Sequence, residues 1–177
     1  MFQEITEITI NNLNLKLAPL TVLSGRNGTG KTTVLSTIKE AHDSFVYLKP
    51  ERRRVETTHQ ILFCMRGGII LENPEVFLHN SMQTLIGKLL AQTVASGHQV
   101  IVETHSDHIL DGIRIAVMEG LLKPEQTAFH YFFYDKEEEK IKITTPQINT
   151  EGRFNQWPEG FFDEAVKNLA ALSSRRR

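Results

Sequence analysis

The densest concentration of chemistry in the chain is Gly25-Arg26-Asn27-Gly28-Thr29-Gly30-Lys31-Thr32. It matches the phosphate-binding pattern G-x-x-x-x-G-K-[S/T] in full. Glycines let such a loop wrap with its backbone N–H groups turned inward, and a helix that starts in the loop adds positive potential at its N-terminus. Lys31 would set an ammonium against the β- and γ-phosphates of a nucleoside triphosphate, the Thr32 hydroxyl would ligate Mg2+, and Thr33 is placed for the α-phosphate. The expected nucleotide contacts are therefore Arg26, Asn27, Gly28, Thr29, Gly30, Lys31, Thr32 and Thr33. The plainer alternative is a glycine-rich turn ahead of a helix. The apolar run Leu20-Thr21-Val22-Leu23-Ser24 before the loop and the helical pattern after it favour the phosphate reading.

A phosphate loop of this kind needs a carboxylate on another strand to hold the metal's water shell. Ile69-Ile70-Leu71 ends in Glu72, which with Thr32 is the expected metal pair, although an acid after a buried strand can equally mark a sheet edge. Asn73 follows, and it cannot take a proton. Glu75, beside Pro74, reads either as a first-turn helix acid favoured by the helix dipole or as a substitute base if the Asn73-Pro74 bend turns it toward the metal. A further apolar run, Val100-Ile101-Val102, leads into Glu103-Thr104-His105-Ser106-Asp107-His108. A histidine just past a core strand is often structural, but next to a phosphate loop His105 is placed to sense the γ-phosphate. His108 is given no role.

The elements that must position these groups alternate. Leu13, Leu15 and Leu17 alternate with polar residues behind Ile5, Ile8 and Ile10, as a strand or hairpin with one buried face would. Helical spacing is expected over 31–42, 82–94, 109–118 and 159–172, and strands at Phe45-Val46-Tyr47-Leu48, at Ile69-Ile70-Leu71 and at Val100-Ile101-Val102. Residues 129–134 and 141–144 read as a hairpin across Asp135-Lys136-Glu137-Glu138-Glu139-Lys140. Strands alternating with helices imply an α/β fold with a mostly parallel central sheet and antiparallel strands from the chain ends. One domain over 1–177 is expected, with no internal repeat or low-complexity linker.

Taken together, these segments resemble the ABC-type P-loop NTPases, in the bacterial branch of OLD and related AAA-like ATPases, and most closely the group carrying a C-terminal DUF3696 domain. Leu71-Glu72-Asn73-Pro74-Glu75 with Leu78-His79 is similar to that branch's E-N-P-E-x-x-L-H Walker B segment. Glu103-Thr104-His105-Ser106-Asp107-His108 resembles its switch-histidine segment, and Trp157-Pro158-Glu159-Gly160-Phe161-Phe162-Asp163 resembles the W-P-x-G-F-F-D of its C-terminal tail. The resemblance implies an ABC-ATPase-like sandwich, with 145–177 as a DUF3696-like tail packed on it. It implies ATP and Mg2+ as ligands, a Walker B metal role for Glu72 and a switch role for His105. Asn73 falls where classical ABC ATPases place their catalytic glutamate. Tyr47-Leu48-Lys49-Pro50-Glu51-Arg52 resembles the branch's Y-x-G-x-x-R segment. Two departures stand out. The long helical insertion is replaced by 53–57 alone, and the Ser-Gly signature has no counterpart beyond Thr58-His59-Gln60-Ile61-Leu62.

Composition narrows the remaining classes. Hydrophobic residues make up 40% and charged residues 23%, the balance of an ordinary globular domain. The formal net charge of −1 gives no global steering toward DNA or membrane. The short basic runs 52–54 and 175–177 read as solvated surface, and there is no nuclease-like cluster of carboxylates, so direct nucleic-acid binding is not expected. The single cysteine, Cys64, lies in an apolar stretch and reads as an inert core residue, in keeping with a reducing compartment. No secretory signal is visible and no apolar run nears the ~18–20 residues of a membrane span, so a cytoplasmic domain is expected. Trp157, Phe161 and Phe162 read as anchors for the terminal helix. Two functions stay open: a slow ATP hydrolase cycling through an ATP-dependent homodimer, or a nucleotide-binding switch without significant turnover that regulates an effector protein, in DNA repair or phage defence.

Overall fold

The computed structural model describes residues 4–10, 13–49 and 67–174, with the backbone alone at 164–166. Cys64, both basic runs, Thr58-His59-Gln60-Ile61-Leu62, and the segment from Pro50 to Arg52 lie outside the described residues.

The strands are β1 (Glu7–Ile10), β2 (Leu13–Lys16), β3 (Leu20–Gly25), β4 (Phe45–Leu48), β5 (Gly68–Glu72), β6 (Gln99–Glu103), β7 (Thr127–Asp135) and β8 (Lys140–Thr144). The helices are α1 (Lys31–Ala41), α2 (Asn80–Ala95), α3 (Asp107–Met118) and α4 (Glu164–Ser174). β1 and β2 pair antiparallel as a small sheet of their own, and the other strands form a six-stranded sheet in the order β4-β5-β6-β3-β7-β8. All its pairings are parallel except β7 with β8. The fold is thus α/β with a mixed, mostly parallel sheet, and its antiparallel pieces come from the two ends of the chain.

Why the strands read as continuous apolar runs is clear from what covers them. A parallel sheet in an α/β protein is covered on both faces, so successive residues of one strand enter two different cores. Val22, Ile69, Leu71, Val100 and Val102 pack with Ile86, Leu90 and Val94 of α2 and Ile109, Ile113 and Val117 of α3. Their neighbours Leu23, Ile70, Ile101 and Phe132 face Val34, Leu35 and Ile38 of α1 and Leu15 and Leu17 from the β1–β2 side. α2 and α3 come close enough for backbone contact. A Cβ on Gly87 would lie 2.2 Å from the Ile109 carbonyl oxygen, and one on Gly112 2.2 Å from that of Thr84.

The C-terminal helix starts later than its sequence pattern predicts. It begins at Glu164 rather than 159, because Gly160 (φ 81°) and Phe162 (φ 50°) adopt left-handed backbone that a helix cannot contain. The bend drives Phe161 into the core, where it is 1% exposed, edge-on to Tyr131 and Phe154. Trp157 and Phe162 complete the cluster from its rim. Among the described residues no helix is long and apolar enough to cross a membrane.

Candidate functional site

Strand order brings the site together. β3 lies between β6 and β7, so the loop after β3 opens beside the end of β6. Leu23 pairs with Glu103, and Glu103 in turn with Glu72 on β5, so three strand ends stand in one row.

The loop itself is held by three devices. Gly25 has φ 131°, and a Cβ there would lie 2.1 Å from the Phe132 carbonyl oxygen on β7. Thr29 Oγ1 donates to the Arg26 carbonyl at 2.7 Å, closing the turn. Gly30 then caps α1 in left-handed conformation without any side-chain acceptor, which leaves the first-turn N–H groups to face a ligand.

Lys31 is 3% exposed. Its ammonium donates to the carbonyls of Gly25 at 3.0 Å and Arg26 at 2.9 Å and lies 3.7 Å from Glu103 Oε1. Burial lowers its pKa, and the adjacent carboxylate opposes that fall. Thr32 Oγ1 donates to Glu103 Oε2 at 2.9 Å.

These groups border a cavity of about 410 Å3. From the loop it is lined by Asn27, Gly28, Gly30, Lys31, Thr32 and Thr33, and from the other strand ends by Asn73, Glu103 and His105. Two members of the expected contact set face elsewhere. Arg26 borders a cavity of about 360 Å3 shared with Ser24, Tyr131 and the tail, and Thr29 borders one of about 870 Å3 between the β1–β2 hairpin and β7–β8.

The expected acids divide. The Glu72 carboxylate accepts a hydrogen bond from the Tyr47 hydroxyl and an ion pair from Lys49 at 3.0 Å, and Glu72 is not among the residues lining the 410 Å3 cavity. Burial and that carboxylate raise the Tyr47 pKa well above its ordinary value, so the phenol stays a donor. Glu75 accepts from Thr104 Oγ1 at 2.8 Å and from the His105 backbone N–H at 2.7 Å, which fixes the turn between β6 and α3. Ser106 caps α3, accepting from the Ile109 N–H at 3.1 Å.

Asn73 sits at φ 46°, its N–H donating to the Glu103 carbonyl at 2.8 Å, while its Oδ1 is buried without a partner among the described residues. Left-handed backbone is a conformation that asparagine tolerates better than most residues. His105 reaches the cavity with its pKa lowered by burial and by Lys31, against the pull of Glu75 and Glu103. Near neutral pH its imidazole is uncharged and can donate one hydrogen bond and accept another.

Glu103 is the site residue that sequence reasoning left without a role. The available signal was its position at the end of a core strand, but nothing local says that β6 is the strand beside the glycine-rich loop.

A family described as "Protein of unknown function (DUF3696)" matches residues 122–172. The match starts upstream of the tail expected at 145, and so takes in β7 and β8. No curated protein matches the chain.

Proposed function

We propose that the 410 Å3 cavity binds Mg-ATP and that the protein is a slow ATPase of the ABC-type P-loop class. One observation carries the reading: a buried lysine, a helix N-terminus open to a ligand, a threonine hydroxyl and a histidine converge on one cavity at the C-terminal ends of parallel strands. Ligands of open α/β sheets bind at such strand ends. The residues fit the group they would hold. Backbone N–H groups of the loop and Lys31 suit phosphate oxygens, and Thr32 suits a hard, oxygen-seeking cation. Bound magnesium would neutralise charge on the β- and γ-phosphates. Lys31 supplies a fixed positive charge without solvent reorganisation, Asn73 orients water, and neutral His105 donates to the γ-phosphate. In hydrolysis, water oxygen bonds to the γ-phosphorus, the bond to the β–γ bridging oxygen breaks, the water's proton passes to a phosphate oxygen, and ADP and inorganic phosphate leave.

A second reading has its own support. Asn73 cannot accept the water's proton, and the Glu75 carboxylate is taken up by Thr104 and the His105 backbone. A site so equipped suits a switch that binds nucleotide with little turnover and signals to an effector protein or a second copy of the chain. Steady-state phosphate release at saturating Mg-ATP separates the two. Release by the wild type above that of Lys31→Ala supports the ATPase; equal release with intact nucleotide binding supports the switch.

A further inference from the structure

We propose that Glu103 is the carboxylate that completes the magnesium shell at Thr32, the role that the Walker B resemblance gives to Glu72. The assignment rests on the Mg-ATP reading above and specifies which acid serves it.

The geometry of one pair carries it. Magnesium keeps near-ideal octahedral coordination with ligand oxygens at about 2.0–2.1 Å, so two adjacent ligands stand about 2.9 Å apart. Glu103 Oε2 lies 2.9 Å from Thr32 Oγ1, the oxygen expected to touch the metal. A cation on Thr32 would therefore have Glu103 within direct or one-water reach with no movement of β6. Glu103 is 3% exposed, and a buried carboxylate without a partner is costly. Its partners here are Thr32 and Lys31, the two groups that a metal and a phosphate would draw on. Once they are drawn away, the metal is the cation left to balance the charge of Glu103. Glu72, by contrast, spends its carboxylate on Tyr47 and Lys49.

Two consequences follow from ligand number and charge. Thr32 and Glu103 offer two oxygens to an octahedral cation, so phosphate oxygens and water would supply the rest of the shell. Without metal, Glu103 and the γ-phosphate are two anions facing one cavity, so metal-free ATP binds poorly.

The test uses Mn2+ as the probe. Its binding to the ATP-loaded protein is followed by electron paramagnetic resonance, and ATP affinity is measured with Mg2+ and with EDTA. Glu103→Gln is expected to weaken Mn2+ binding by ~10–100-fold, the range found when groups around a metal are altered. The same variant is expected to bind ATP in EDTA at least as tightly as the wild type, because the repelling anion is gone while Lys31 remains. Glu103→Asp should recover part of the Mn2+ affinity, and Glu72→Gln should keep it. Unchanged Mn2+ affinity in Glu103→Gln, or the loss appearing in Glu72→Gln instead, overturns the assignment while leaving the Mg-ATP reading intact. Should Glu103→Gln not fold, the conservative Glu103→Asp decides. Mn2+ affinity weakened in Glu103→Asp and kept in Glu72→Gln upholds the assignment, and Mn2+ affinity unchanged in Glu103→Asp overturns it. A wild type that binds ATP under neither condition overturns the Mg-ATP reading itself.

Discussion

Gly25 and Phe132 meet backbone to backbone: a Cβ on Gly25 would stand 2.1 Å from the Phe132 carbonyl oxygen, at φ 131°. β3 and β7 are register partners at this point, so neither chain can yield without breaking the ladder. Gly25→Ala is expected to destabilise the fold by at least ~2–3 kcal/mol, since backbone strain and overpacking add. Gly28 shares the positive φ but has nothing within 4 Å of a Cβ, so Gly28→Ala should cost only the left-handed penalty of ~1–2 kcal/mol. Urea denaturation of both variants checks the contrast, and equal losses would refute it.

Lys31→Ala should abolish nucleotide binding and still fold, with a lower Tm because buried Glu103 loses its cation. A ligand that binds only the native state raises its melting temperature by mass action. Mg-ATP should therefore raise the wild-type Tm and leave that of Lys31→Ala unmoved. The same rise in both proteins would refute the role of the lysine.

Turnover should respond to the residues around the proposed attacking water. General-base help is worth ~10²–10⁴-fold, and Asn73 offers none. Asn73→Glu should keep Mg-ATP binding and raise kcat by ~10-fold or more if its carboxylate reaches the water. Left-handed backbone at Asn73 (φ 46°) predicts an accompanying stability loss of ~1 kcal/mol. Glu75→Gln should lower kcat by loosening Thr104 and the His105 backbone, with a smaller change in KM. Phosphate release measured over a range of ATP concentrations tests both variants.

Acid should weaken the fold through His130. It is 2% exposed, with Nε2 2.8 Å from the Lys16 carbonyl oxygen and Nδ1 3.0 Å from Thr145 Oγ1. A carbonyl only accepts, so Nε2 carries the hydrogen and Nδ1 accepts from the threonine. Burial lowers the His130 pKa, against the pull of the Lys16 hydrogen bond. The unfolded chain therefore takes up a proton near the ordinary value of 6.5 that the folded state refuses. This contribution leaves stability level above that pH and lowers it as pH falls toward the folded pKa, by up to ~1.4 kcal/mol per unit. Urea midpoints between pH 7.5 and 5 should fall for the wild type and fall less steeply for His130→Gln.

The tail should prove part of the core. Phe161 packs against Tyr131, Phe154 against Phe129, and Arg114 donates to the Gly152 carbonyl at 2.8 Å. Phe161→Ala should cost ~3–5 kcal/mol, the range for removing a buried aromatic. Truncation after Ile148 should abolish cooperative melting or cause aggregation, because it uncovers Phe129 and Tyr131. A soluble, cooperatively melting truncation would identify the tail as a docking surface instead.

Local pattern in the sequence was enough to reveal the glycine-rich turn between a core strand and a helix, the alternation of strands and helices, the C-terminal hairpin and the placing of His105 after a core strand. Each of these depends on residues within a few positions of one another, where glycine conformation, side-chain period and turn chemistry act directly. Which acid meets Thr32 was not legible, because it depends on strand order. Thr32 and Glu103 are 71 residues apart, and they touch because β6 lies between β3 and β5. A shorter separation, 25 residues, likewise hid the commitment of Glu72 to Tyr47. The start of α4 depends on tertiary structure for a related reason. The gain from burying Phe161 against β7 outweighs the helical propensity of 159–163, and that gain exists only once β7 is in place.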